Sequence, residues 1–173
     1  MTLILRPFEL TDAAALHQLL NDPELIGRRY LDQDRQPLSL PQVEDLLEKW
    51  TKPDGETRRV IAAGDAFLGI GMVDPTWEPL APFVAVVIDP AHQRRGHGTA
   101  AMDLMLEQLF GATPALAAMT WIDEWNASGL AFALKYGFRE AGRARREGIR
   151  NGRYFASVGL DLTRQEWEAG RGH

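Results

Sequence analysis

The run Phe83-Val84-Ala85-Val86-Val87-Ile88 carries no polar side chain, stops at Asp89-Pro90, and leads into Gln93-Arg94-Arg95-Gly96-His97-Gly98-Thr99. A short continuous apolar run bounded by turn residues is the pattern of a strand buried on both faces. After Gly98, residues Ala101, Leu104, Met105 and Leu109 recur at helical spacing, and Gly111 is positioned to close that helix. A buried strand, a tight turn and a helix in this order put the unpaired N–H groups of the first helical turn at the mouth of the loop. The helix dipole favours an anion there. A side chain at Gly96 or Gly98 would hold a phosphate away from the backbone or forbid the required torsions, and Arg94 and Arg95 add charge-assisted contacts.

The loop is therefore read as a phosphate site, with a turn bearing a solvated basic face as the plainer alternative. It is not a Walker loop, because Gly-Lys-Ser/Thr is absent. It is not the dinucleotide fingerprint either, since it lies mid-chain and no acidic ribose partner follows at the expected distance. ATP as the bound phosphate lacks any magnesium-binding motif.

The remaining pattern fits one α+β domain over residues 1–173, with a mainly antiparallel sheet and helices packed on it. Leu3 to Leu5 form a first strand. Thr11-Asp12 caps a helix through Leu20, and Leu40-Pro41 opens a second through Trp50. Residues 21–40 look irregular, and Lys52-Pro53-Asp54-Gly55 is turn chemistry. Arg59 to Ala63 and Phe67 to Val73 make a hairpin about Gly64-Asp65. Leu116 to Ile122 is a strand, Asn126 to Tyr136 a helix stopped by Gly137, and Phe138 to Glu140 a strand leaving it. Extended segments at 143–149 and 153–161 flank the Asn151-Gly152 turn signal, and a terminal helix is expected at Thr163 to Trp167.

Net charge is −5 and the pI about 5.4, so no global basic field draws the chain to nucleic acid or an anionic membrane. With no cysteine, disulfides, thiolate catalysis and cysteine-ligated zinc are excluded. His17, His92, His97 and His173 are scattered without ligand spacing, so no metal is expected. The start lacks a signal-peptide pattern and no run is long enough to span a membrane, which makes the cytoplasm the expected compartment.

Gln93-Arg94-Arg95-Gly96-His97-Gly98 resembles the Q/R-x-x-G-x-G/A signature of the GNAT N-acetyltransferase superfamily. Val87-Ile88-Asp89-Pro90 resembles the strand end before it, and Asn126 with Lys135-Tyr136-Gly137-Phe138 resembles the later N…GF element at the usual spacing. The resemblance implies a GNAT-like fold whose mixed sheet is splayed between its fourth and fifth strands. It implies acetyl-CoA as donor and an amine acceptor attacking directly in a ternary complex. Carried over by position, backbone groups at Val86 and Ile88 would pair with the pantetheine arm. The amides of Arg94, Arg95, Gly96, His97, Gly98 and Thr99 would wrap the pyrophosphate, and Asn126 would sit near the thiol. The ending, Arg145-Arg146-Glu147 through Tyr154 and on to Glu166-Trp167, resembles the branch that acetylates ribosomal-protein N-termini. That branch has Asp where this chain has Ala156 or Ser157.

Acetyl transfer needs a proton acceptor for the amine and an acid for the departing thiolate. The family's usual tyrosine position is Ala133 here, and Tyr136 reads as core with its hydroxyl at the edge. Ser128 can serve as the acid if the helix start is shifted, or simply cap that helix. Glu78 and Glu124, with Asp123, are the carboxylates placed to accept the amine proton through water, or are solvated loop residues. Trp77, Trp121 and Trp125 bracket the expected cleft, as core packing or as an aromatic wall for an apolar or cationic acceptor.

The acceptor is a small-molecule amine or a protein N-terminus, with a homodimer left open. The missing tyrosine also leaves a non-catalytic module that binds or senses acyl-CoA. Gly96→Glu and Gly98→Glu should each abolish CoA binding while circular dichroism stays native. Unchanged affinity in either variant would remove the basis for the loop's assignment.

Overall fold

The computed structural model describes residues 2–26, 37–52, 57–76 and 78–170. Among these, the strands are β1 Leu3–Arg6, β2 Thr57–Ala63, β3 Ala66–Asp74, β4 Phe83–Ile88, β5 Ala117–Asp123, β6 Arg139–Arg150 and β7 Arg153–Thr163. The helices are α1 Ala13–Leu20, α2 Pro23–Ile26, α3 Leu40–Trp50, α4 His97–Ala112, α5 Ala127–Tyr136 and α6 Arg164–Gly170. The strands form one sheet in the order β1-β2-β3-β4-β5-β7-β6, antiparallel throughout except for β4 beside β5. This is the α+β architecture expected from the sequence. No helix is long and apolar enough to cross a membrane among the described residues.

Alternation along β2 sends successive side chains to opposite faces and so divides the core. Val60 and Ala62 pack with Leu16, Leu20, Val43 and Leu47 beneath α1 and α3. Ile61 and Ala63 pack with Ile88 and with Ala101 of α4 on the other face. The largest cluster continues that second layer, joining Met102, Leu106 and Phe110 of α4 to Ala118, Ile122, Val158 and Leu160 of β5 and β7. The two hairpin turns are as read: Gly64 has φ 58°, and Asn151 and Gly152 have φ 51° and 73°, the paired positive torsions of a two-residue turn.

Several boundaries move. The stretch expected to be irregular contains the short α2, while residues 27–36 lie outside the described residues, as do residues 53–56, Trp77 and His173. The segments read separately at 138–140 and 143–149 merge into the single strand β6, whose register against β7 shifts twice, between Glu140 and Gly142 and between Ala144 and Gly148. Those interruptions broke the period-two pattern by which one strand is recognised. Helix α4 starts at His97, ahead of Gly98, and runs through Gly111 to Ala112.

Glycine does not end α4: Thr113, before Pro114, turns extended as its C-cap, and Arg164 then seals the end. Its guanidinium donates to the carbonyls of Ala115, Phe110 and Thr113 at 2.9, 2.5 and 2.8 Å, satisfying acceptors that the helix end leaves open. Thr163 and Glu166 form a capping box on α6, with Thr163 N–H and Oγ1 donating to Glu166 Oε2 at 3.1 and 2.7 Å. Trp167 lies 5.1 Å from the ring of Phe110. The closing Glu-Trp pair thus fastens the chain end onto α4.

At the other end, Arg6 holds the buried Asp12 through two hydrogen bonds of 2.8 and 2.6 Å. The Arg6 hydrogen bond holds the Asp12 carboxyl below the usual carboxylate range, against the opposing effect of burial. A carboxyl depressed in the folded state contributes stability above its unfolded value of about 3.9 and loses it as pH falls through the lower folded value. Asp12→Asn should therefore flatten the loss of Tm below about pH 4. Arg164→Ala should cost about 2 kcal/mol, roughly 4–8 °C in Tm for a chain of this size. Calorimetry checks both.

Candidate active site

Strand β4 is fully paired on one side, from Gly69↔Ile88 to Asp74↔Phe83, and β5 is fully paired to β7 from Ala117↔Thr163 to Asp123↔Ser157. Between β4 and β5 there is one pair, Phe83↔Met119. The closed end is stitched by Leu116 and Ala117 N–H donating to the Leu80 carbonyl at 2.6 and 3.2 Å, and by Met119 N–H donating to the Pro82 carbonyl at 3.0 Å. Beyond it the strands diverge. Peptide groups alternate sides along a strand, so Val84, Val86 and Ile88 turn the same way as Pro82, into the gap. Gln93 Nε2 donates to the Ile88 carbonyl at 2.8 Å, tying the loop before α4 to the end of β4.

A groove of about 330 Å³ runs from this gap to the start of α4. It is lined by Val86, Val87, Ile88, Gln93, Arg94, Gly96, Gly98, Thr99, Asn126 and Ser128, with Leu25, Gly129 and Phe132. The fold thus gathers Val86, Ile88, Arg94, Gly96, Gly98, Thr99 and Asn126 in one place, while Arg95 and His97 are not among the lining residues.

The two glycines have different reasons. Gly96 has φ 82°, a left-handed torsion at the cap of α4, and a Cβ there would meet nothing within 4 Å, which leaves open the space an anion would take. Gly98 lies inside the first helical turn, where a Cβ would make ordinary contacts of 3.5 and 3.7 Å with the Phe132 ring. Arg94 also has positive φ, 59°, a torsion that costs free energy in a non-glycine residue and clusters at ligand sites. The first intrahelical bond of α4 runs from Ala100 N–H to the Gly96 carbonyl, so the amides of His97, Gly98 and Thr99 precede the ladder.

Asn126 caps α5 at the far end of the groove. Its Oδ1 accepts from Gly129 N–H at 3.1 Å and from Ser128 Oγ at 3.2 Å. Ser128 thus makes the helix-start bond that was its plainer reading. A Cβ on residue 129 would fall 2.6 Å from Asn126 Nδ2, so any side chain there would push the Asn126 carboxamide out of this position.

A second cleft, about 460 Å³, also reaches Asn126. It is lined by Met72, Phe83, Ala85, Trp121, Ile122, Asp123, Asn126, Ala144, Glu147 and Ser157. Asp123 and Ser157 are both buried and face each other across β5 and β7. Trp121 is 46% exposed, its ring lying over Gly159, where a Cβ would be 2.9 Å away. Sequence reasoning missed Glu147 and Ser157, which reach the cleft only through the pairing of β6 and β7.

Other expectations lead elsewhere. Glu78 is exposed and its Oε1 accepts from Leu80 N–H at 3.0 Å, closing its own turn. Glu124 Oε1 accepts from Ala156 N–H at 3.0 Å, and Glu124 lines a separate hollow with Trp125 and Arg150. Neither carboxylate lines the groove or the cleft, because each is used by nearby backbone. Trp125 sits under the Arg150 guanidinium, 3.9 Å from the ring centroid. Ala133 is buried, and Tyr136 donates to Asp103 Oδ1 at 2.6 Å, tying α5 to α4.

Comparison with known proteins agrees with this geometry. A family described as acetyltransferase (GNAT) domain matches residues 2–139. The fold is similar to a spermidine N-acetyltransferase from Vibrio cholerae crystallised with CoA and spermine, with a TM-score of 0.82 at 21% identity over 96% of this chain and 98% of that one. It is also similar to a GNAT-family acetyltransferase from Streptococcus pneumoniae, with a TM-score of 0.73 at 20% identity over 94% and 99% of the two chains. With a family match spanning most of its length, on a sheet that opens where CoA must enter, the chain belongs to the GNAT acetyltransferases and is an acetyl-CoA-dependent N-acetyltransferase.

Proposed function

We propose that the chain acetylates a primary amine held in the cleft beside Trp121 and Asp123, with acetyl-CoA lying in the groove between β4 and α5. The observation that carries this reading is that the groove and the cleft share Asn126 and take successive stretches of β4, the cleft Phe83 and Ala85 and the groove Val86 to Ile88. Two ligands bound in them would meet end to end in the splay.

The cofactor supplies an activated acetyl thioester. Val86 offers its N–H and C=O to the pantetheine amides, as a neighbouring strand would. The amides at the start of α4, with Arg94, hold the pyrophosphate. The left-handed torsion of Gly96 and the open space beside it fit this load. Asn126 Oδ1 is committed to its helix cap, which leaves Nδ2 as the group that donates toward the reacting end.

The acceptor must lose a proton to become nucleophilic. Asp123 is the carboxylate nearest in sequence to Asn126 within the cleft, and Asn126 N–H donates to its carbonyl at 2.8 Å. We assign Asp123 as the proton acceptor, directly or through one water, and Ser157 across from it as the hydroxyl that orients the amine. Positioning of both substrates supplies a further share of the rate. The spermine held by the Vibrio cholerae enzyme is a polyamine, and an aromatic wall beside carboxylates fits acceptors of that charge.

Release of free thiol from acetyl-CoA, measured with diamines, amino acids and short peptides, tests the reading. Asp123→Asn should lower kcat/KM by roughly 10²-fold while CoA affinity stays unchanged. Wild-type kcat/KM in that variant across pH 6–9 would remove Asp123 from its role. CoA binding without thiol release for any amine would favour the non-catalytic module.

A further inference from the structure

Strand β6 is interrupted beside the cleft. Ala144 pairs with Ser157 and Gly148 with Phe155, so Arg145, Arg146 and Glu147 together oppose the single residue Ala156. Arg146 takes φ 62°, a left-handed torsion without glycine. Extra residues of this kind bend a strand and re-aim its side chains, and they recur beside active sites. Here the re-aimed side chain is Glu147, which lines the cleft together with Trp121 and Asp123.

The two carboxylates stand at different places in that cleft. Asp123 is 5% exposed at the inner end of β5, next to Asn126, whereas Glu147 is exposed on β6. In the sheet order β5-β7-β6, their strands are two spacings apart, about 9–10 Å between backbones. Side chains reaching toward each other shorten that span. Trp121, 46% exposed, lines the same cleft, and an exposed indole face attracts cations. An acceptor whose reacting amine sits at Asp123 would place a group several bonds further along its chain against Glu147.

We propose that Glu147, delivered by this bulge, is a specificity-determining residue that binds a second cationic group on the acceptor. The preferred substrates are then compact diamines and their longer homologues rather than monoamines or acceptors with a carboxylate at that distance. The inference rests on the cleft being the acceptor site, and it concerns only how acceptors are ranked there. A negative charge at the rim attracts a second ammonium and repels a carboxylate, so its effect falls on the ratio between acceptors and not on the donor.

The test compares putrescine with n-butylamine, which shares its carbon chain but lacks the second amine. In the wild type, kcat/KM should favour putrescine, and Glu147→Gln should lower that ratio roughly fivefold, as expected for a partly exposed ion pair. Glu147→Asp should restore part of it. CoA affinity, read by tryptophan fluorescence, should be the same in all three proteins. If thiol release is undetectable for both amines, the same ratio is read by calorimetric titration of the CoA-saturated protein. That outcome counts against the acetyl-transfer assignment, while the calorimetric ratio still judges Glu147. A wild-type protein with no preference for the diamine, or a ratio unmoved by Glu147→Gln, would overturn the proposal.

Discussion

Strands β4 and β5 each have a complete partner on one side and almost none on the side they share, and the rest of the site depends on that division. Their single pair at Phe83 and Met119 is held by a turn that stitches Leu80 and Pro82 to the start of β5. Past that point each strand follows its own neighbour, β3 or β7, and the right-handed twist of the sheet carries them apart. Peptide groups exposed by such an opening need partners. One is provided internally, where Gln93 reaches the Ile88 carbonyl. The remainder form a strand edge that a ligand rich in amides can complete. The opening also separates the N-termini of α4 and α5, so both helix starts face the same gap.

Those two starts are built differently. Helix α4 begins on a glycine without a side-chain cap, leaving its first amides to an anion, whereas α5 begins on Asn126, whose own carboxamide satisfies Gly129 N–H. An uncapped helix start costs stability until an anion arrives, and a capped one does not. The first is therefore suited to a ligand phosphate, the second to holding Asn126 in a fixed orientation where groove and cleft meet. The absence of a side chain at residue 129 lets the Asn126 carboxamide lie this close to the helix.

The tail of the chain carries a pattern that invites a functional reading and has a mechanical one. Arg164, Glu166 and Trp167 close the end of α4, cap α6 and cover Phe110. This anchors the long helix whose opposite end lines the groove. Resemblance in such a segment reflects how the fold is sealed as much as which acceptor it takes. The arginine-rich β6–β7 hairpin is different in kind: its bulge brings a carboxylate to the cleft that a regular strand would have pointed elsewhere.

The turn from β4 into α4 was legible from the chain alone because every part of it is local. A strand, a turn needing positive φ and a helix start occupy adjacent residues, and glycine at residue 96 records the torsion directly. The same holds for the hairpin turns at Gly64 and Asn151-Gly152. The cleft was legible only at Trp121 and Asp123, and its Glu147 and Ser157 were not. Asp123, Ser157 and Glu147 lie on three strands, and only the register of β5, β7 and β6 brings them together. Glu78 and Glu124 line neither hollow for a complementary reason, since a loop carboxylate that accepts from a backbone amide looks in sequence like any other loop carboxylate. Local torsional and capping chemistry leaves its mark on neighbouring residues. Juxtaposition across a sheet is set by strand pairing and its irregularities, and those arise only when the whole chain packs.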